Sequence, residues 1–358
     1  MARFAQTIVA LLFAGTSAAA QDSTVVLGSA VSSVDGAPLS YSTIAVTPGM
    51  RRFSKSDGSF SFRAGVSASF RLTVKHLGFL PFDTTIVASG ATVQLRVMLT
   101  PLAYRLAAVR TEARHPCVVD IRKTELSGIL DQVTQNAERE DLLRRIYPFE
   151  YKLERTRRSS WSGSVSRWVR DTTAFLSSAV DPYQPGSVVR ETSSADEPAR
   201  EMRIPQLTDL ADPVFLDGHC FSYGGIRHEH GTAAYEIDFE PTSDVRVPDV
   251  RGSVLLDTAT YQIRRAFFSL TRAEDLSPPV AGLEVTTTYK DLFRCVSLFE
   301  GITSEQVFYR GRPTDAVQTQ SEFQRLLSVV FIGRSPEPMR DSLASTRIRS
   351  KDRPDPRR

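Results

Sequence analysis

Apolar residues recur at every second position over most of this chain, and at every third or fourth over one short stretch. The alternation runs from Ser23 to about Leu99 and returns from Tyr147 onward. Phe70, Leu72 and Val74 fall in phase, as do Val93, Leu95 and Val97, then Phe149, Tyr151 and Leu153. Successive side chains on a strand point to opposite faces, so this period demands sheets with a buried side. Between the two regions, Leu126, Ile129, Leu130, Val133, Ala137, Leu142, Leu143 and Ile146 keep helical spacing. That predicts one amphipathic helix, or two with a break near Asn136, its charged residues forming the solvated face. The expected fold class is mainly β: an N-terminal β-sandwich, then an antiparallel β-sheet domain carrying the helix.

The N-terminus reads as an export signal. Met1-Ala2-Arg3 is a short basic start, Thr7 to Gly15 is an apolar core too short to span a bilayer, and Ala18 and Ala20 fit cleavage before Gln21. The expected organisation is a signal peptide over 1–20, the sandwich over 21–103 and a linker over 104–120. The helix-plus-sheet domain follows over 121–333, and a basic, Pro- and Ser-rich tail over 334–358 is expected to be disordered. A formal net charge of +3 is too small to argue for nucleic acid. No later run is long and apolar enough for a transmembrane helix. The expected location is the periplasm or the periphery of an outer membrane.

Export permits disulfides, and the chain has three cysteines, Cys117, Cys220 and Cys295. An odd number leaves at least one unpaired within the chain. The expected bridge is Cys117–Cys220, with Cys295 as the alternative partner. Closing a loop of about 100 residues stabilises by roughly 4 kcal/mol in the chain-entropy model.

Within the first region stand Gly28, Gly36-Ala37-Pro38-Leu39, Ile44, Ser56-Asp57-Gly58-Ser59-Phe60 and His76-Leu77-Gly78-Phe79. In order and spacing these landmarks resemble the carboxypeptidase regulatory-like domain. The resemblance implies a transthyretin-like, carbohydrate-binding-like sandwich that accompanies other domains and is not itself catalytic. Ser40 to Ile44 departs from the family's usual step after Pro-Leu. The second region, from Asp217-Gly218-His219-Cys220 through Arg264, resembles exported bacterial proteins that join such a module to a β domain. Its run around Leu256-Asp257 and Thr260 is also similar to LolA-like carrier sheets, which implies a cavity for an apolar ligand.

The residues that could carry chemistry have plainer readings. Asp35-Gly36 and Asp57-Gly58 lack the clustered oxygen donors of a calcium loop and are expected to be turns, as is Gly78. Ser54 to Phe62 is read as a hairpin with its turn at Asp57-Gly58. His228 and His230 share one strand face and are metal candidates, but no third ligand stands near them. His219 beside Cys220 suggests a base and a thiol, yet neighbours on a strand point apart. Asp257 is read as a turn residue. Arg157-Arg158 and Arg264-Arg265 are read as solvated strand edges able to meet an anionic headgroup or sugar acid. Trp161, Trp168, Tyr183, Tyr223, Tyr235 and Tyr261 are either core or a sugar platform. No nucleophile elbow, phosphate loop or dinucleotide motif occurs.

The function expected from this reading is non-catalytic. It is an exported binding or scaffolding protein of the bacterial envelope, recognising a peptide, a glycan or a protein partner, without cofactor or metal. The alternative is a carrier of lipid or another apolar ligand in the second domain. A divergent hydrolase lacks a convergent set of acid, base and nucleophile.

Overall fold

The computed structural model describes residues 23–65, 69–88, 91–102, 127–161, 164–178, 183–193, 198–203, 206–229, 231–276, 280–293, 296–309 and 317–336. The expected signal peptide, linker and most of the tail lie outside these residues.

Seven strands come first: β1 (Ser23–Ser32), β2 (Thr43–Thr47), β3 (Met50–Phe53), β4 (Ser59–Gly65), β5 (Ser69–Lys75), β6 (Phe82–Val87) and β7 (Thr92–Leu99). They form two sheets, ordered β4-β1-β7 and β3-β2-β5-β6. Val26, Ala30, Phe60 and Phe62 from the first sheet meet Ile44, Phe70, Leu72 and Val74 from the second, and all are buried. Two sheets closed over one apolar layer make a sandwich.

The stretch expected to be a hairpin is not one. β3 and β4 belong to different sheets, and β4 pairs with β1, with Phe62 opposite Val26. The Asp57-Gly58 turn carries the chain from one layer to the other. Asp57 Oδ1 accepts from Ser59 N at 2.9 Å, and Gly58 takes φ +76°. A Cβ on Gly58 would stand 2.6 Å from the Ala30 carbonyl oxygen, so only glycine fits beside β1. Gly36 and Gly78 also have positive φ, and Ala37 N donates to Asp35 Oδ1 at 3.1 Å. These positions are turns, and the structural demand for glycine there is met.

One continuous helix follows, α1 (Ser127–Ile146), with no break at Asn136. Then come β8 (Phe149–Trp161), β9 (Ser164–Val165), β10 (Val169–Leu176), β11 (Val189–Ser193), β12 (Pro198–Met202), the short helix α2 (Pro213–Gly218), β13 (His219–Glu229), β14 (Thr232–Pro241), β15 (Asp249–Asp257), β16 (Ile263–Thr271), β17 (Val280–Phe293), β18 (Val296–Tyr309) and β19 (Val317–Phe331). Ten of these strands form a single antiparallel sheet, ordered β10-β8-β19-β18-β17-β16-β15-β14-β13, with β9 paired to β8. β11 and β12 pair apart from it.

Helix α1 lies against the large sheet and the sandwich together. Ile129, Val133 and Ala137 join the sheet's main core, while Leu142 and Leu143 join a second core shared with Tyr41 and Phe53 of the sandwich. The expected solvated face is therefore much narrower than its charges suggest. Arg139, Glu140 and Arg144 are buried, and Glu140 Oε1 pairs with Arg144 Nη2 at 2.5 Å. Their charges are met inside the protein, so the amphipathic pattern does not report which side faces water.

Candidate functional site

Each strand of the large sheet sends alternate residues to two faces, and the faces differ in what covers them. On the covered face one hydrogen-bonded row reads Tyr223, Ile237, Val254, Ala266, Thr287, Ile302, Gln324, Arg155 and Asp171. The row is apolar from β13 to β16 and turns polar toward β10. Over the apolar half lie α1, a one-turn 3-10 helix (Leu207–Ala211) and α2. Leu207, Leu210 and Phe215 from these short pieces are each 2 % exposed or less. Among the described residues the cover over this half is therefore built largely of separate helical segments.

A buried polar cluster pins this cover to the sheet. The Tyr183 hydroxyl donates to Asp249 Oδ2 at the start of β15. His219 stacks on Phe215 with ring centroids 3.9 Å apart, and its Nδ1 and Nε2 face the carbonyl oxygens of Phe215 and Val250 at 2.9 and 3.0 Å. His219 Nε2 lies 3.9 Å from Asp249 Oδ1, and neither side chain reaches solvent. Arg203 holds Asp209 with two bonds of 2.7 Å. Burial holds the Asp249 carboxyl above its ordinary value, against the pull of the Tyr183 hydroxyl, the Val250 N–H and His219. Burial and the bond to Asp249 push the Tyr183 phenol far upward.

The open face is polar. Its matching row reads Ser222, Asp238, Ser253, Phe267, Thr286, Thr303, Phe323, Thr156 and Arg170. A groove of about 420 Å³ crosses β13 to β16 there, lined by Arg227, His228, Glu229, Glu236, Ser253, Leu255, Arg265 and Phe267. Its charges are mutually paired: Arg227 Nε reaches Glu236 Oε2, and Arg265 Nη1 reaches Glu229 Oε1, each at 2.6 Å. Beside it, burial and then Glu236 raise the Asp238 carboxyl to about 6, with Arg227 opposing and Glu240 adding.

His228 is exposed at the groove rim, and His230 lies outside the described residues. Among the described residues no three His, Cys, Asp or Glu side chains gather to hold a metal ion. Cys220 is disulfide-bonded, while Cys117 and Cys295 lie outside the described residues, so the pairing is not assigned. His219 turns into the core instead of toward a thiol. Asp257 is a turn residue whose Oδ1 accepts from Ala259 N and Thr260 N. Burial raises its carboxyl, but those bonds and Arg264 outweigh this and hold it below its ordinary value. Tyr183, Tyr235 and Tyr261 are buried in the core, and Tyr223 packs against it. Trp168 is exposed, and nothing is described of the Trp161 side chain. Sequence reasoning passed over Asp249 and Asp209, which stand in ordinary turn-like surroundings; no spacing rule joins Tyr183 to a carboxylate 66 residues away.

The fold and this site define a two-part, mainly β protein: a small sandwich, and a large sheet under a helical cover. No protein-family model matches the chain, so the regulatory-like resemblance gains no support there, and no curated protein matches it. Among solved structures, a LolA superfamily protein from Nitrosomonas europaea is 10 % identical over 60 % of this chain and 97 % of its own, with a TM-score of 0.30. A DUF1329 family protein from Desulfovibrio piger is 10 % identical over 60 % of this chain and 98 % of its own, with a TM-score of 0.29. A domain from Vibrio parahaemolyticus named for outer membrane lipoprotein sorting is 12 % identical over 60 % and 97 %, with a TM-score of 0.30. Scores of this size carry no inference about what the chain binds. No helix among the described residues is long and apolar enough to cross a membrane, which says nothing of strands.

Proposed function

We propose that this is a non-catalytic binding protein of the cell envelope whose large sheet takes up an apolar ligand of the lipid class. The observation that supports it is the apolar half of the covered face, closed by discrete helical segments and a localised polar latch. Any apolar sheet face needs a covering layer; what favours uptake here is that part of the layer is short pieces fastened at one buried polar cluster. Here the side chains of the cover fill the space, so uptake on this reading requires the short helices Leu207–Ala211 and Pro213–Gly218 to move aside. On this reading the buried Tyr183, Asp249 and His219 cluster fastens the cover to the sheet.

The test measures uptake of a fluorescent fatty-acid probe by the wild type and by Tyr183→Phe and Asp249→Asn. Loosening the latch lowers the cost of opening by about 1 kcal/mol, so each variant should bind roughly five-fold tighter. Native mass spectrometry should show co-purified lipid. No lipid, and no probe binding by variants that keep the wild-type circular dichroism, would sink the carrier reading. The second reading, a scaffold for a peptide, glycan or protein, is favoured by the groove on the open face. It predicts that Phe267→Ala and Arg265→Ala abolish partner capture without changing probe uptake.

A further inference from the structure

The corner of the large sheet where β8, β9 and β10 meet is not used by the cover or by the open-face groove. Lys152 to Asp171 holds six Lys and Arg residues against two acids, a net +4 where the whole chain has +3. Some of these charges are spoken for. Arg157 pairs with Asp171 at 2.9 Å and Arg155 with Glu322 at 3.1 Å, while Arg170 stands 3.8 Å from Glu154, which Arg325 also holds. Among the described residues, Lys152, Arg158 and Arg167 have no carboxylate at ion-pair distance.

A pocket of about 200 Å³ opens at this corner, lined by Arg157, Arg158, Ser159, Ser166, Val169 and Gln320. Arg158 lies over the Trp168 ring at 4.6 Å from its centroid. Around it, Val165, Trp168 and Val169 are 57 %, 47 % and 56 % exposed. Charge that only guards a sheet edge against aggregation needs no such company. A guanidinium held over a half-exposed indole, with further basic side chains free of carboxylates and an exposed valine alongside, suits a group with anionic oxygens attached to a hydrocarbon.

We propose that this corner docks the protein on an anionic phospholipid surface, with the phosphate group seated at Arg158 beside the Trp168 ring and with Val165 and Trp168 entering the headgroup layer. Complementary charge chooses this occupant, and a tryptophan at the rim suits a membrane interface. The proposal does not depend on lipid being carried under the cover.

Co-sedimentation with vesicles of phosphatidylcholine, alone or mixed with phosphatidylglycerol, tests it on the full chain. Binding should require phosphatidylglycerol and should fall as salt is raised. Each basic residue near such a surface is worth about 1 kcal/mol, or five-fold, so Arg158→Gln with Arg167→Gln should weaken binding roughly 30-fold. Both side chains lie at the surface, and unchanged thermal unfolding would show that the double variant folds. The chain has two tryptophans, so Trp168→Phe should remove the vesicle-induced blue shift in emission while Trp161 remains as a control. Equal binding to neutral vesicles, unchanged binding by the double variant, or binding of inorganic phosphate but of no vesicle would each overturn the proposal.

Discussion

Asp238 shows how one carboxyl can record its surroundings. It shares the open face of β14 with Glu236 and Glu240, and its folded value is raised from 3.8 to about 6. The native state therefore holds this proton more tightly than the unfolded chain. The associated stability is complete below about pH 4 and is lost as pH rises through about 6. Asp238→Asn should raise the melting temperature at neutral pH and leave it unchanged near the acid end. Because the carboxyl is half-buried and screened by water, the gain is set at about 1 kcal/mol. Melts followed by circular dichroism on both sides of this window check it, and an equal gain at both ends would refute the assignment. None of this is legible in the sequence, where acids at alternate positions look like an ordinary solvated strand. Legible were the conformational demands at Gly36, Gly58 and Gly78. An Asp-Gly step between strands announces positive φ, as at Gly36 and Gly58, whereas the same step at Asp217-Gly218 ends a helix without it. It does not announce which strands it joins, and so the expected β3–β4 hairpin became a crossing between sheets.

At the scale of elements, the strands were readable because a buried face imposes a period of two, and α1 was readable as a helix for the matching reason. Its surroundings were not. Asn136 Nδ2 donates to the Tyr261 carbonyl at 2.8 Å, and Asn136 Oδ1 accepts from Ile263 N at 3.1 Å, bonds that span 125 and 127 residues of chain. Arg139 Nη2 donates to the Tyr41 carbonyl at 2.7 Å. Tyr41 and Tyr261 both have left-handed backbone, φ 55° and 56°, which turns their carbonyls toward the helix. Such a conformation costs about 1–2 kcal/mol for a residue with a side chain and persists only where partners hold it. The helix thus buries amides and charges that its sequence presents as solvent-facing. Asn136→Leu should cost about 2–3 kcal/mol in urea denaturation, because two buried main-chain groups lose their partner. A loss below about 0.5 kcal/mol would mean that water replaces the side chain and that the contact is incidental.

At the scale of the whole molecule, α1 makes the sandwich and the sheet one cooperative unit. Glu138 on its outer edge meets Lys75 Nζ at 3.0 Å and Arg51 Nη2 at 3.3 Å, both from the sandwich. Gln132 Oε1 accepts from Gly78 N at 2.8 Å, and the Arg139 guanidinium lies 5.4 Å over the Phe53 ring. On the opposite side the same helix is part of the sheet's core. Neither half can unfold without exposing one side of α1, so each half contributes to the stability of the other. Urea unfolding of the wild type should therefore give one transition, coincident by tryptophan emission, which reports the sheet, and by far-ultraviolet circular dichroism, which reports both parts. Arg139→Ala removes a buried charge-assisted bond and the ring contact at this joint, and should cost about 2–3 kcal/mol. If the joint rests on α1, the variant's two signals should separate, with the sandwich melting first. Signals that stay coincident in Arg139→Ala while the midpoint falls would place the coupling elsewhere, in the core where Tyr41 and Phe53 meet Leu142 and Leu143.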